Sequence, residues 1–290
     1  LNDPAVTAQS AALEGNLYIE GFSPGQTQNA SDLLQSEYTV VSSTSAISGQ
    51  FIQVSLGTYS QPMDYLIANG YFNTTRTEFN VGLRLAWEAG ATDGWGTFTL
   101  PSASDTVNVA VILSDQDESV KGWNGRDLTK KGVGTLVLSA ANEYSGITSI
   151  EEVTLQAGAN NIFAASSRIS LSSGATLDLL AYDQSAANLI GAGTVKLGTA
   201  SLTVVNNEDS LFSGILTGDG SLQKDGTETL TLSGANDYTG GTRIINGELV
   251  MENVKALGNG VVTNDSSLIW NFSEDGMLDN QLLGDGTYVK

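Results

Sequence analysis

Asn142 with Tyr144, and Asn236 with Tyr238, are the residues of this chain whose types and spacing come nearest to a recognition site. An amide two residues from a phenol can hydrogen-bond a sugar hydroxyl while the ring stacks on its apolar face. The same pair fits a plainer role, Asn holding a turn and Tyr covering a corner, and repetition favours that role because a residue kept in every copy serves the copy itself. Asp115, Asp117 and Glu118 offer hard oxygens for a weak calcium site, but a solvated acidic turn is the simpler assignment. Gly218-Asp-Gly-Ser221 has the outline of a serine nucleophile loop. The chain contains no histidine and no cysteine, however. That removes Ser–His–Asp and Cys–His catalysis, the common zinc constellations and any disulfide framework, and without a base the Ser221 segment is a turn. No catalytic, cofactor-binding or metal-binding residue is assigned, and no enzyme is expected. Trp123 and Trp270 are candidates for exposed contacts, set against packing in a core or corner.

The elements that carry these residues occur twice. Leu128, Lys130, Gly132, Leu136, Leu138, Asn142, Tyr144, Gly146, Thr148, Ile150 and Leu155 match Leu222, Lys224, Gly226, Leu230, Leu232, Asn236, Tyr238, Gly240, Thr242, Ile244 and Leu249 without a gap, at an offset of 222 − 128 = 94. Gly134-Thr-Leu-Val-Leu-Ser139 and Thr229-Leu-Thr-Leu-Ser233 alternate polar and apolar residues, the period of a strand with one buried side. Each run is closed by a turn of small or amide residues, and no amphipathic helix intervenes. Short strands, tight turns and an internal repeat predict an all-β parallel β-helix with three short strands per coil, in which units stack because none can bury its apolar side alone. Strands of about five residues imply roughly 20–25 residues per coil, so the offset spans about four coils and the chain about twelve, a rod of the order of 60 Å. Val153 stands where the second copy has Gly247. A β-branched residue is disfavoured at positive φ, so the first copy is expected to use another turn type there.

Upstream, alternating runs at residues 17–22, 37–41, 49–55, 63–68 and 78–85 read as strands, with a turn at Asn69-Gly70 and one helical turn over residues 31–36. No Pro- or Ser-rich linker breaks the chain. The expected organisation is therefore one continuous rod: coils without a clear repeat over residues 1–122, then coils over 123–290 that carry the two copies at 128–157 and 222–251. Leu282-Leu-Gly-Asp-Gly-Thr-Tyr288 echoes Leu216-Thr-Gly-Asp-Gly-Ser-Leu222, so the chain reads as a fragment in which a third unit is starting.

Lys plus Arg number 12 against 32 Asp plus Glu, a net charge of −20. Such a surface repels nucleic acid and anionic lipid, and no apolar run approaches the roughly 20 residues of a membrane-spanning helix. Neither nucleic acid nor membrane insertion is expected of this chain.

Gly226-Thr-Glu-Thr-Leu-Thr-Leu-Ser-Gly-Ala-Asn-Asp-Tyr-Thr-Gly-Gly-Thr-Arg-Ile-Ile-Asn-Gly-Glu-Leu249 resembles the passenger-associated transport repeat of bacterial autotransporters, and the stretch 132–155 resembles a second copy. Tyr38-Thr-Val-Val41 with Ile47-Ser-Gly-Gln-Phe51 is similar to a segment common in such passengers. The resemblance implies a secreted, right-handed parallel β-helix at the surface of a Gram-negative cell, tethered by an outer-membrane β-barrel. It further implies an adhesin of the self-associating or diffuse-adherence type, whose partners are itself or a host or bacterial surface receptor, acting in aggregation, biofilm growth or host adhesion. A non-catalytic stalk for an upstream enzyme domain is the alternative. β-Helical pectin-degrading enzymes fit less well, because the polygalacturonase type also uses a histidine and the lyase type needs a calcium cluster beside Arg or Lys.

Overall fold

The computed structural model describes residues 4–19, 28–29, 37–56, 64–163, 165–272 and 276–290. It divides into two units: residues 1–99 with 116–125, and residues 100–115 with 126–290. The proposed helical turn over residues 31–36 lies outside the described residues.

In the larger unit, the alternation seen in the sequence becomes burial. Thr135–Leu138, Ile147–Ile150, Thr154–Ala157 and Arg168–Leu171 each place every second side chain inside. One strand cannot bury that row alone, so successive strands stack in parallel register, Thr135 beside Thr154 and Thr154 beside Thr176. The stacks form three sheets of a β-solenoid. Sheet I runs from Leu128–Lys131 to Thr287–Val289, sheet II from Thr106–Val109 to Ile215–Gly218, and sheet III from Gln184–Ala186 to Leu282–Leu283. In the middle coils the chain visits them in the order I, II, III: Arg168–Leu171, Thr176–Asp178 and Gln184–Ala186, then Leu189–Gly191 back in sheet I. Leu128 lies beside Thr148, Thr148 beside Ile169 and Leu249 beside Leu268. One turn therefore takes roughly 20 residues, the short end of the range for stacked repeats. The described residues make about eight turns, not twelve.

The interior is a set of aliphatic columns. Leu136, Leu155, Leu177, Val195 and Leu216 succeed one another in register along sheet II, all buried. Each inward Leu or Val removes apolar surface from water at roughly 25 cal/mol per Å2, which is what ties one coil to the next.

The smaller unit mixes two arrangements. Val6–Ala8 pairs in parallel with Glu37–Ser43, and Asn16–Ile19 with Gln53–Leu56. Glu78–Leu85, however, runs antiparallel to both Glu37–Ser43 and Leu66–Phe72. The expected turn at Asn69-Gly70 is instead mid-strand, where Asn69 faces Gly82 and Gly70 faces Val81. The glycine serves close packing: a Cβ there would lie 2.6 Å from the Phe79 ring and 2.7 Å from Val54. The hairpin turns later, where the Asn73 side-chain oxygen accepts from the amides of Thr77 and Glu78. Leu13, Val41, Ile47, Phe79 and Val81 form its core, with Phe79 edge-on to Phe51 and Phe72.

Candidate functional site

Asn142 and Asn236 are buried, each in a loop that takes the place of a strand. Asn142 Oδ1 accepts from the Leu113 amide at 3.0 Å in the turn before, and its Nδ2 donates to the Ile162 carbonyl at 3.2 Å in the turn after. Asn236 repeats this with the Leu216 amide at 2.7 Å and the Ala256 carbonyl at 2.6 Å. A loop leaves backbone groups of both neighbouring coils without a ladder partner. One primary amide, donor and acceptor at once, pairs one group on each side and so staples three coils.

The tyrosines are inside as well. Tyr144 and Tyr238 are 1% and 0% exposed, which leaves no ring face for a sugar. The Tyr144 hydroxyl bonds the Thr148 hydroxyl at 2.7 Å, and Tyr238 pairs with Thr242 in the same way. Burial pushes both phenols above their ordinary range. Leu136, Leu138, Leu230 and Leu232 are fully buried core residues. Gly146 and Gly240 lie against the preceding turn, where a Cβ would stand 2.5 Å from the Arg126 carbonyl oxygen and the Gly220 carbonyl oxygen respectively.

Gly132 and Gly226 turn the chain at φ of 73° and 75°, and each would drive a Cβ to 2.3 Å from a carbonyl of the coil before. Beside them lie two residues that the sequence marked only as matching positions. Lys130 and Lys224 are buried, and each ammonium sits in a cup of three carbonyls. Lys130 donates to Lys131, Gly132 and Glu152 at 2.8, 2.6 and 3.4 Å, and Lys224 to Asp225, Gly226 and Asn246 at 2.7, 3.0 and 3.1 Å. Burial pushes both down to about 8, opposed by Glu152 beside Lys130 and by Asp225 beside Lys224. The signal was available: both lie two residues after an inward Leu, on the buried parity of their strands.

The turn at Val153 is not of another type. Val153 has φ of 43° and Gly247 of 68°, so the first copy forces a β-branched residue into the left-handed region where the second uses glycine. The offset of 94 also differs from four coils. Four turns of sheet I lead from Leu128 through Thr148, Ile169 and Leu189 to the Ser210 strand, a step in sequence of 210 − 128 = 82. The remaining 94 − 82 = 12 carry the chain across sheet II into sheet III. The first copy therefore puts Leu128 in sheet I and Leu136 in sheet II, whereas the second puts Leu222 in sheet III and Leu230 in sheet I. The two copies share one interior and face different ways.

Of the remaining candidates, the Asp115 carboxylate accepts from the Ser145 amide and hydroxyl, both at 2.7 Å, with Arg126 at 3.7 Å. It is thereby committed to a corner. Trp123 is buried edge-on to Trp87 at 4.7 Å within the smaller unit, and Trp270 is half-buried, 6.0 Å from the Tyr288 ring. Ser221 begins a strand of sheet III, its turn packed on Ala200 and Leu197.

What faces outward is regular. On sheet II, Thr106, Thr135, Thr154, Thr176 and Thr194 stand in unbroken register, a threonine ladder at about 4.8 Å per rung. On sheet III, Ser185, Thr203, Gln223, Arg243 and Thr263 do the same.

A parallel solenoid with this staple at residues 128–157 and 222–251 matches the family model described as passenger-associated-transport-repeat over those residues. The chain thus carries two copies of this repeat, both within one solenoid. Among similar proteins, the adhesin BmaC autotransporter of Brucella suis biovar 1 is 36% identical over 160 residues, 52% of this chain and 5% of that protein. An uncharacterized lipoprotein, YdeK, of Escherichia coli is 31% identical over 175 residues, covering 59% of this chain and 13% of its own length. The chain therefore spans only a small part of these relatives.

Proposed function

We propose that this chain is an adhesive segment of a cell-surface passenger and brings about cell aggregation, biofilm growth or host adhesion through the outward faces of its solenoid. The threonine ladder of sheet II carries the proposal: five hydroxyls in register offer many equal, weak contacts, and such contacts gain strength by repetition. The printed name of the Brucella relative, an adhesin, supports the same reading. The partner is a second copy or a surface receptor, and the passenger is held at the outer membrane by a β-barrel. The repeats themselves favour a second role, a stalk or folding scaffold, because Asn142, Tyr144 and Lys130 are spent on joining coils and present nothing outside.

Cells displaying the full protein should clump and settle. Replacing Thr135, Thr154 and Thr176 together by Glu should slow settling severalfold while leaving surface display unchanged. Settling that ignores this triple change would retire the adhesive ladder and leave the stalk. Sedimentation of the purified chain across concentration and salt separates the partners, since association that strengthens with salt, as its like charges are screened, points to a second copy.

A further inference from the structure

The outward side of sheet I changes character along its length. Its central column begins with Thr129, Ser149 and Ser170, in register. It continues through Ile190 and Leu211 to Thr231, Val250, Ile269 and Val289. Leu211 and Val289 are 50% and 42% exposed, and Ile190, Val250 and Ile269 are half-buried. The outward columns of sheets II and III described above are polar throughout most of their length, so an aliphatic stripe is specific to this part of sheet I. Its margins are acidic: Asp209, Glu248 and Glu252 are exposed, two residues from Leu211 or Val250. No Lys or Arg lies in the six strands that carry Ile190 to Val289.

We propose that this stripe is a docking surface for a cationic amphipathic helix of another protein, laid along the column with an aliphatic ridge between Lys or Arg flanks. The spacing favours a helix. The rungs are about 4.8 Å apart, close to the 5.4 Å pitch of an α-helix, which returns a side chain to the same stripe each turn. An extended strand rises about 3.4 Å per residue and returns a side chain to one face only at every second residue, so it falls out of step with the rungs. Five intervals span about 24 Å, the length of roughly 16 helical residues. Charge excludes a second copy of the same face, since acidic margins would meet acidic margins on a chain of net charge −20. The surface is separate from the threonine ladder, and its test does not depend on that reading.

The probe is an 18-residue peptide, about five turns, with Leu at i, i+3, i+4 and i+7 spacing and Lys at the flanking positions, titrated into the 290-residue chain by fluorescence anisotropy and circular dichroism. Expected are one-to-one binding, helicity gained on binding, and at least tenfold weaker binding of a scrambled peptide of identical composition. The variant Leu211→Thr/Val250→Thr/Ile269→Thr keeps β-forming residues outside and should lose at least tenfold. Glu248→Lys/Glu252→Lys, which leaves the aliphatic column intact, should lose a similar amount and guards against misfolding of the first variant. Equal binding of the scrambled peptide, or unchanged binding by both variants, would mean that the net charge alone attracts the probe and would overturn the proposal. So would self-association of the parent chain that the triple Thr variant abolishes.

Discussion

The two repeat copies meet the same need by different means. The amide of Gly132 is taken by Glu152, whose carboxylate reaches from the next turn at 2.6 Å. The amide of Gly226 is taken by Asp225, its own neighbour, at 2.8 Å, and Asn246 steadies that carboxylate at 2.7 Å. Asp225 occupies the position of Lys131 in the first copy, and Asn246 that of Glu152. What stays fixed is inside: the amide staple, the Tyr–Thr pair and the ammonium in its carbonyl cup. The corner demands only that a turn amide find an acceptor, and any carboxylate within reach satisfies it.

If the staple is the common core, Asn142→Leu and Asn236→Leu should be the most damaging changes and nearly equal, because each leaves a buried amide and a buried carbonyl unpaired, at about 1–3 kcal/mol apiece. Hydrogen exchange read coil by coil would show the loss confined to the turns on either side, and a harmless change in either copy would break the equivalence. Next in size is an asymmetry. Gly247→Val should cost about 3 kcal/mol or more, since left-handed strain is joined by contacts of 2.4 Å to the Gly226 carbonyl and 2.9 Å to the Lys224 ammonium. Val153→Gly should stabilise by about 1 kcal/mol, the strain relieved being larger than the entropy glycine adds to the unfolded chain. Denaturant midpoints of the two variants would show it.

The smallest effect sharpens the likeness of the copies. Lys130 and Lys224 are held at about 8 against an ordinary 10.5, so between those values the unfolded chain keeps protons that the folded chain has released, and stability rises with pH across that window. Above it the slope reverses, because Tyr144, Tyr238 and Tyr71, the last pushed up to about 12, ionise in the unfolded chain first. Melting temperatures from pH 7 to 11 should pass through a maximum, and Lys130→Met and Lys224→Met should each flatten the rising limb by a similar amount.

Much of the fold was legible because parallel coils write their interior as plain alternation, and Leu136, Leu138, Leu230 and Leu232 sit where that alternation puts them. Turn chemistry was harder to read. Asn69-Gly70 has the composition of a turn, yet glycine is there to admit the Phe79 ring. Val153 argued for a new turn, yet the pull of two packed coils overrode a local preference of about 1–2 kcal/mol. The orientation of the copies was invisible for another reason. Coils differ so little in length that the offset passes for a whole number of turns, and only the strand pairings show it to be four turns and two strands.

That remainder has a consequence for the gene. A deletion or duplication that joined the copies at matching positions would remove or add 94 codons without breaking the stack, because every sheet accepts the same unit. Each such event would turn everything downstream by about two-thirds of a revolution and swing a different face towards whatever stands opposite. A length polymorphism in this segment would then act as a rotary selector, altering what the molecule shows its surroundings without a single substitution.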